Sequence, residues 1–142
     1  MIQSLYQIDF LTASGTTRLL SYGDYISHEI SAKVAQAATQ YRPLGAAWAE
    51  TVAAGGATVS VAWTRREDHA NHAALRSYCL RTAATSPASS GSTGTLRLAV
   101  QGGERWDIAD CTITSCEPAP LVGFRFRTVT SFQALGGAMT QS

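Results

Sequence analysis

Charge is scarce in this 142-residue sequence: Asp, Glu, Lys and Arg make up 15% of it and cancel to a net +1. A single lysine, Lys33, stands against ten arginines. That balance excludes a polybasic surface built to neutralise nucleic-acid phosphates. Long apolar runs are missing too. Nowhere do about 18 apolar residues follow one another, so no transmembrane helix is expected. The opening segment MIQSLYQIDF has neither the basic region nor the apolar run of a secretion signal. With three cysteines, any disulfide scheme leaves one thiol unpaired. An unbroken strand would point Cys111 and Cys116 to opposite faces, roughly 17 Å apart at about 3.4 Å per residue, which no disulfide spans. Cytoplasmic synthesis with free, mostly buried thiols is the reading that follows.

What is plentiful is small. The chain holds 23 Ala, 14 Ser, 16 Thr and 12 Gly, with 45% hydrophobic residues overall. That suffices for the core of one β-rich domain spanning residues 1–142, with surfaces smooth enough for close packing. Tyr6, Ile8 and Phe10 alternate with Gln7 and Asp9, the mark of a half-buried strand. A turn at Ala13–Gly15 leads to a hairpin partner over 16–22. Residues 26–41 fit a helical stripe through Ile30, Val34, Ala37 and Tyr41 and also a period-two alternation. A strand is preferred, because no helix stop precedes Tyr41-Arg42-Pro43. Residues 41–57, with Pro43, Gly45 and Gly55-Gly56 around one Trp, read as a long loop or projecting arm. Val59, Val61 and Trp63 form the next strand, and one helix is expected over about 68–83. The run TSPASSGSTG, residues 85–94, reads as a flexible connector.

The C-terminal half is strand throughout. Leu96, Leu98 and Val100 share a face with Trp106 and Ile108 if Val100 opposes Trp106 and Leu98 opposes Ile108, across a three-residue loop with a bulge. The apolar parity then switches to Cys111 and Ile113, which requires a second bulge near Ala109-Asp110. CEPAP, 116–120, reads as a loop. In GFRFRTVTSF, Phe124, Phe126, Thr128, Thr130 and Phe132 alternate with Arg125, Arg127 and Val129.

The stretch nearest to active-site chemistry is REDHANHAALRSYC, residues 66–79. Glu67 or Asp68 sits where a carboxylate would cap the helix. Leu75, Tyr78 and Cys79 make its apolar stripe, with His72 at the edge. His72 and Cys79 lie about 10.5 Å apart along the axis, so one zinc cannot take both. His69 and His72 lack the HExxH spacing. Asp107 and Asp110 face opposite ways unless the bulge intervenes. Gly-x-Ser-x-Gly, GxGxxG and P-loop motifs are absent, and the glycine pairs read as turns. No catalytic residue, metal ligand or cofactor site is therefore expected.

Two surface features remain. Arg125 and Arg127 share the face of their strand away from the phenylalanines, either as a solvated face with cross-strand partners such as Glu104 or as a docking face for an acidic neighbour. The segment around Tyr41, Arg42 and Trp48 carries residue types that anchor interfaces, or it folds back on its own sheet.

These elements add up to an antiparallel β-sandwich or partly closed barrel with one flanking α-helix and a projecting loop. Their order resembles the tail-tube fold of long-tailed bacteriophages and related injection systems. An N-terminal hairpin is followed by a long arm, the VSVAW strand, a helix at HANHAALRSYCL, then LRLAV, WDIADCTI and FRFRTVTSF. The likeness spans most of the chain. It implies a non-enzymatic structural protein, made in the bacterial cytoplasm and located in a virion or phage-like particle. Members of that family form hexameric rings that stack into a tube, with arms reaching into the next ring. The implied partners are copies of the chain and other tail proteins, with no membrane, and DNA only by passage through a lumen. A tube terminator, distal adaptor or other tail or baseplate component is the alternative within the class. Outside it stand a small β-sandwich ligand-binding module, using Trp48, Trp63 or Trp106 as an aromatic platform, and a small hydrolase without a recognisable motif.

Overall fold

The structure, a computed structural model, describes residues 2–26, 30–45, 47–53, 56–121 and 126–141. The first strands are β1 (Ile2–Gln3), β2 (Tyr6–Thr12), β3 (Gly15–Leu20), β4 (Tyr25–Ile26), β5 (Ser31–Ala35), β6 (Ala38–Tyr41), β7 (Glu50–Ala53) and β8 (Thr58–Asp68), of which β2 and β8 carry the half-buried alternations. Helices α1 (His72–Thr85) and α2 (Pro87–Ser90) follow, then β9 (Thr93–Val100), β10 (Arg105–Pro120), β11 (Arg127–Gly136) and β12 (Ala138–Gln141). The preferred strand reading of residues 26–41 is the observed one, in β5 and β6.

Ten strands form one antiparallel sheet in the order β1-β4-β8-β11-β10-β9-β2-β3, with β5 also on β8 and β12 also on β10. The sheet curls so that its inward residues meet. Ile8 and Phe10 of β2, Leu96 of β9, Ile108 and Ile113 of β10, Phe132 of β11 and Trp63 of β8 form the core. Burying each such side chain contributes about 1.5–3 kcal/mol. Trp63 and Phe132, paired across β8 and β11, stack with centroids 5.2 Å apart. A side chain links β8 to the edge strand β3: Arg65 donates from Nη1 to the carbonyl of Leu19 at 2.9 Å. No ladder joins those two strands among the described residues, so the sheet is not a closed barrel.

Several expectations are corrected. Across β9 and β10, Leu98 opposes Trp106 and Leu96 opposes Ile108, a register two residues from the expected one. An even shift leaves every side chain on its expected face. The turn is tight because Gly103 N–H bonds to Val100 O at 3.0 Å and Gly102 takes φ +70, which glycine adopts at little cost. The bulge between Ile108 and Cys111 lies where the parity switch placed it, with Asp110 at φ +50. CEPAP is not a loop, because β10 continues to Pro120, paired with β11 as far as Thr128. A further irregularity between Ile113 and Ser115 resets the parity, so Cys116 packs against the core, on the side the unbroken-strand geometry denied it. All three cysteines are free. Helix α1 is capped by Asn71, whose Oδ1 accepts from Ala74 N–H at 2.9 Å. Glu67 and Asp68 are unavailable for that role because the β8 ladder extends through them to Thr128 and Arg127. Within the expected connector, residues 87–90 form a helical turn next to buried Ser86. Phe126 stands outside β11 at φ +49. Phe124 and Arg125 lie outside the described residues.

Candidate functional site

Helix α1 presents the His-rich stretch, and its neighbours come from distant strands. His69 Nε2 lies 3.0 Å from Thr128 Oγ1, and its ring lies 4.6 Å from that of Tyr78. The His72 ring meets the edge of Phe126 at 4.9 Å. Tyr78 is buried, and its hydroxyl accepts from Arg65 Nη2 at 3.0 Å and shares a hydrogen bond with Thr130 at 3.2 Å. Thr128 and Thr130 are wholly buried. Burial works against the charge on Arg65, yet Tyr78, Glu67 and Asp24 together raise its affinity for the proton. Glu67 Oε1 is 3.0 Å from Arg65 Nε but off the N–H direction, so that contact is ionic without being a hydrogen bond. The two imidazoles thus serve separate packing contacts. Among the described residues no three His, Cys, Asp or Glu side chains gather as a metal site. Asp107 is paired with Arg97 at 3.0 Å, while Asp110 sits on the bulge. Cys111 is wholly buried, and burial pushes its thiol up to about 11, so no nucleophile is offered there. No described helix is long and apolar enough to cross a membrane.

The arm has a definite shape. Strands β6 and β7 pair with each other as a separate two-stranded sheet that joins no other strand among the described residues. Tyr41 opposes Glu50 and Thr39 opposes Val52, so these four side chains share one face. Tyr41 and Val52 are 59% and 52% exposed, Trp48 is 58% exposed, and Leu44 at the tip is fully exposed. Arg42, next to Tyr41, is also exposed. A hairpin that buries so little of its apolar surface is not stabilised by its own chain. Tyr41, Arg42 and Trp48 all lie on this arm, exposed. Leu44 and Val52 belong with them and were not singled out in the sequence, although their placement around the Pro43-Leu44-Gly45 turn was the available signal.

Arg127 stands apart from the arm. It opposes Asp68 across β8 and β11, and its Nε lies 2.6 Å from Asp68 Oδ1. Arg66 approaches the same carboxylate at 3.9 Å. The Arg127 hydrogen bond holds the Asp68 carboxyl below its ordinary range, against a small opposing effect of burial. The cross-strand partner expected for this arginine exists, but it is Asp68. Glu104 accepts instead from Trp106 Nε1 at 3.2 Å. Arg125, the other expected docking residue, lies outside the described residues.

No known family profile matches the sequence, and no curated protein does either. Solved structures do match in fold. A chain from the virion of a native gene transfer agent particle is similar with a TM-score of 0.57 and 10% identity, over 97% of this chain and 95% of that one. A chain of the anti-feeding prophage baseplate, 6-fold symmetrised, gives 0.57 and 11%, over 100% and 95%. A chain of the sheath/tube terminator of an extracellular contractile injection system, in its extended state, gives 0.59 and 6%, over 96% and 92%. This chain therefore has the fold of phage-like tail proteins along nearly its whole length, as the element order implied.

Proposed function

We propose that this chain is a non-enzymatic structural component of a phage-like tail, and that copies of it assemble into rings that stack as a tube. The observation that carries the reading is an arm with exposed aromatic side chains and, among the described residues, no strand partner outside itself, on a fold shared end to end with tail proteins. An isolated hairpin with this much uncovered apolar surface becomes stable when a neighbouring subunit covers it. Tyr41, Arg42 and Trp48 act as the arm's anchors, and Arg127, at the start of β11, forms a second contact together with Arg125. Six-fold rings are the favoured order, given the symmetry of the baseplate particle to which one neighbour belongs. Other tail proteins are its further partners, and the particle is its location, following synthesis in the bacterial cytoplasm. DNA meets it only by passing through the lumen of a tube.

The likeness to a tube terminator favours a second reading, in which the chain forms one closing ring at a tube end. Sedimentation separates these readings from a monomeric binding module. Trp48→Ala should weaken association by about 2 kcal/mol, the scale of an aromatic hot spot, and Arg125→Glu should weaken it in a salt-sensitive way. Open-ended growth indicates a tube component, growth that stops at one ring a terminator, and a wild type that stays monomeric at high concentration contradicts both.

A further inference from the structure

One end of the curled sheet gapes. Between the root of β5 and the facing strands lies a groove of about 330 Å³, lined by Tyr6, Ile30, Leu98, Val100, Trp106 and Met139. Four of these, Tyr6, Ile30, Trp106 and Met139, are partly buried side chains that continue the core outward. The groove is thus an apolar surface left unfinished by the chain that makes it. Its rim carries one charge, Glu104, which is exposed and holds only the Trp106 indole N–H among the described residues. An apolar floor beside a single carboxylate suits an apolar or aromatic group next to one cation.

The same chain carries a matching group elsewhere. On the arm, Tyr41 and Arg42 are adjacent, Leu44 and Trp48 follow, and Arg42 is exposed with no ion pair among the described residues. Resting on the assembly reading above, we propose that this groove is the receptor for the arm of a second copy, with Arg42 of the arm meeting Glu104 at the rim. The contact is heterologous: a protrusion on one face fits a recess on another, so each copy offers both halves and the interaction repeats from subunit to subunit. Apolar burial in the groove supplies the attraction, and the rim ion pair sets which way the arm enters.

Charge swapping tests this. Arg42→Glu and Glu104→Arg are made singly and together, and the concentration for half-assembly is followed by sedimentation velocity at low and physiological salt. Each single reversal should raise that concentration at least about tenfold, because like charges then face each other, and the double variant should return to within about threefold of wild type. Both side chains are exposed, so thermal melts of all three variants should match wild type. Single reversals without effect overturn the pairing, and so does a double variant as poor as the two singles combined. If assembly ignores the swaps yet is lost in Trp48→Ala, the arm-mediated reading stands and the groove assignment falls. If the wild type never assembles, both fall together.

Discussion

Replacing Gly136 with alanine tests the packing where β11 bends towards β12. Gly136 is buried and opposes Val59 across β8 and β11, while the next amide, Gly137 N–H, bonds to Ala109 O at 2.9 Å. A Cβ at position 136 would meet Ile108 Cγ2 well inside the 3.0 Å that real Cβ atoms respect, with Ala109 O at 3.3 Å and Cys111 Cβ at 3.4 Å. Ile108 and Cys111 are wholly buried. Ile108 is β-branched, so rotating it away is costly and pushes it towards its cross-strand partner Leu96. Overpacking of this kind costs about 1–3 kcal/mol. The lower entropy of the unfolded alanine chain returns about 0.4–1 kcal/mol. The net expectation is a loss of about 1–2 kcal/mol, or roughly 3–8 °C in the melting temperature of a domain this size. Gly103→Ala is the control: its added Cβ finds Val100 at 3.6 Å, an ordinary contact, so its melt should follow wild type. Urea unfolding of the two variants beside wild type measures the difference. Equal midpoints for Gly136→Ala and wild type would refute the packing argument at the bend.

Tyr78→Phe should destabilise the fold by about 1–3 kcal/mol by chemical denaturation, because it strips a partner from Arg65 and from buried Thr130 while leaving the ring in place. Asp68 has a depressed folded-state affinity for the proton, so its contribution to stability is present above the unfolded carboxyl range and is lost as pH falls through the lower folded value. Asp68→Asn should accordingly flatten the acid limb of the stability–pH curve, with a small amplitude because the group is exposed, and an unchanged limb would remove Arg127 as its partner. At pH 8 a thiol reagent should leave Cys111 unmodified in the folded protein and label it in urea, as its raised proton affinity and complete burial require.

Much of the sheet was legible because half-buried strands write their faces into the sequence. Ile8 and Phe10, Val59 to Trp63, and Thr128 to Phe132 all point inward as their alternation requires. The bulge beside Asp110 was legible for the same reason, since apolar parity changes there. The irregularity at Thr114 was not, because the Thr-Ser pair around it carries no apolar parity to break. Pro118 and Pro120 argued for a loop. β9 pairs with β10 only as far as Thr112, so beyond that point β10 has a ladder on one side only among the described residues, and proline is tolerated on the unpaired side. The helix cap was misplaced by position alone, since nothing in Glu67 or Asp68 announces that a ladder to residues 127 and 128 already holds them. The arm was legible as Tyr41, Arg42 and Trp48. Its hairpin form was not, because exposed strands carry no inward-facing signature, and the groove joins residues from opposite ends of the chain. Arg127 shows the limit of reading one strand: its partner, Asp68, comes from a strand 59 residues away.

A 15.0 kDa chain that assembles as proposed above must do so by itself in solution. Negative-stain microscopy of the purified wild type across a concentration series, with Trp48→Ala beside it, tests this most directly. Rings, alone or stacked into tubes, should grow in abundance with concentration and collapse in the folded Trp48→Ala variant. Uniform monomer-sized particles at every concentration, or rings indifferent to the loss of Trp48, would contradict the proposal.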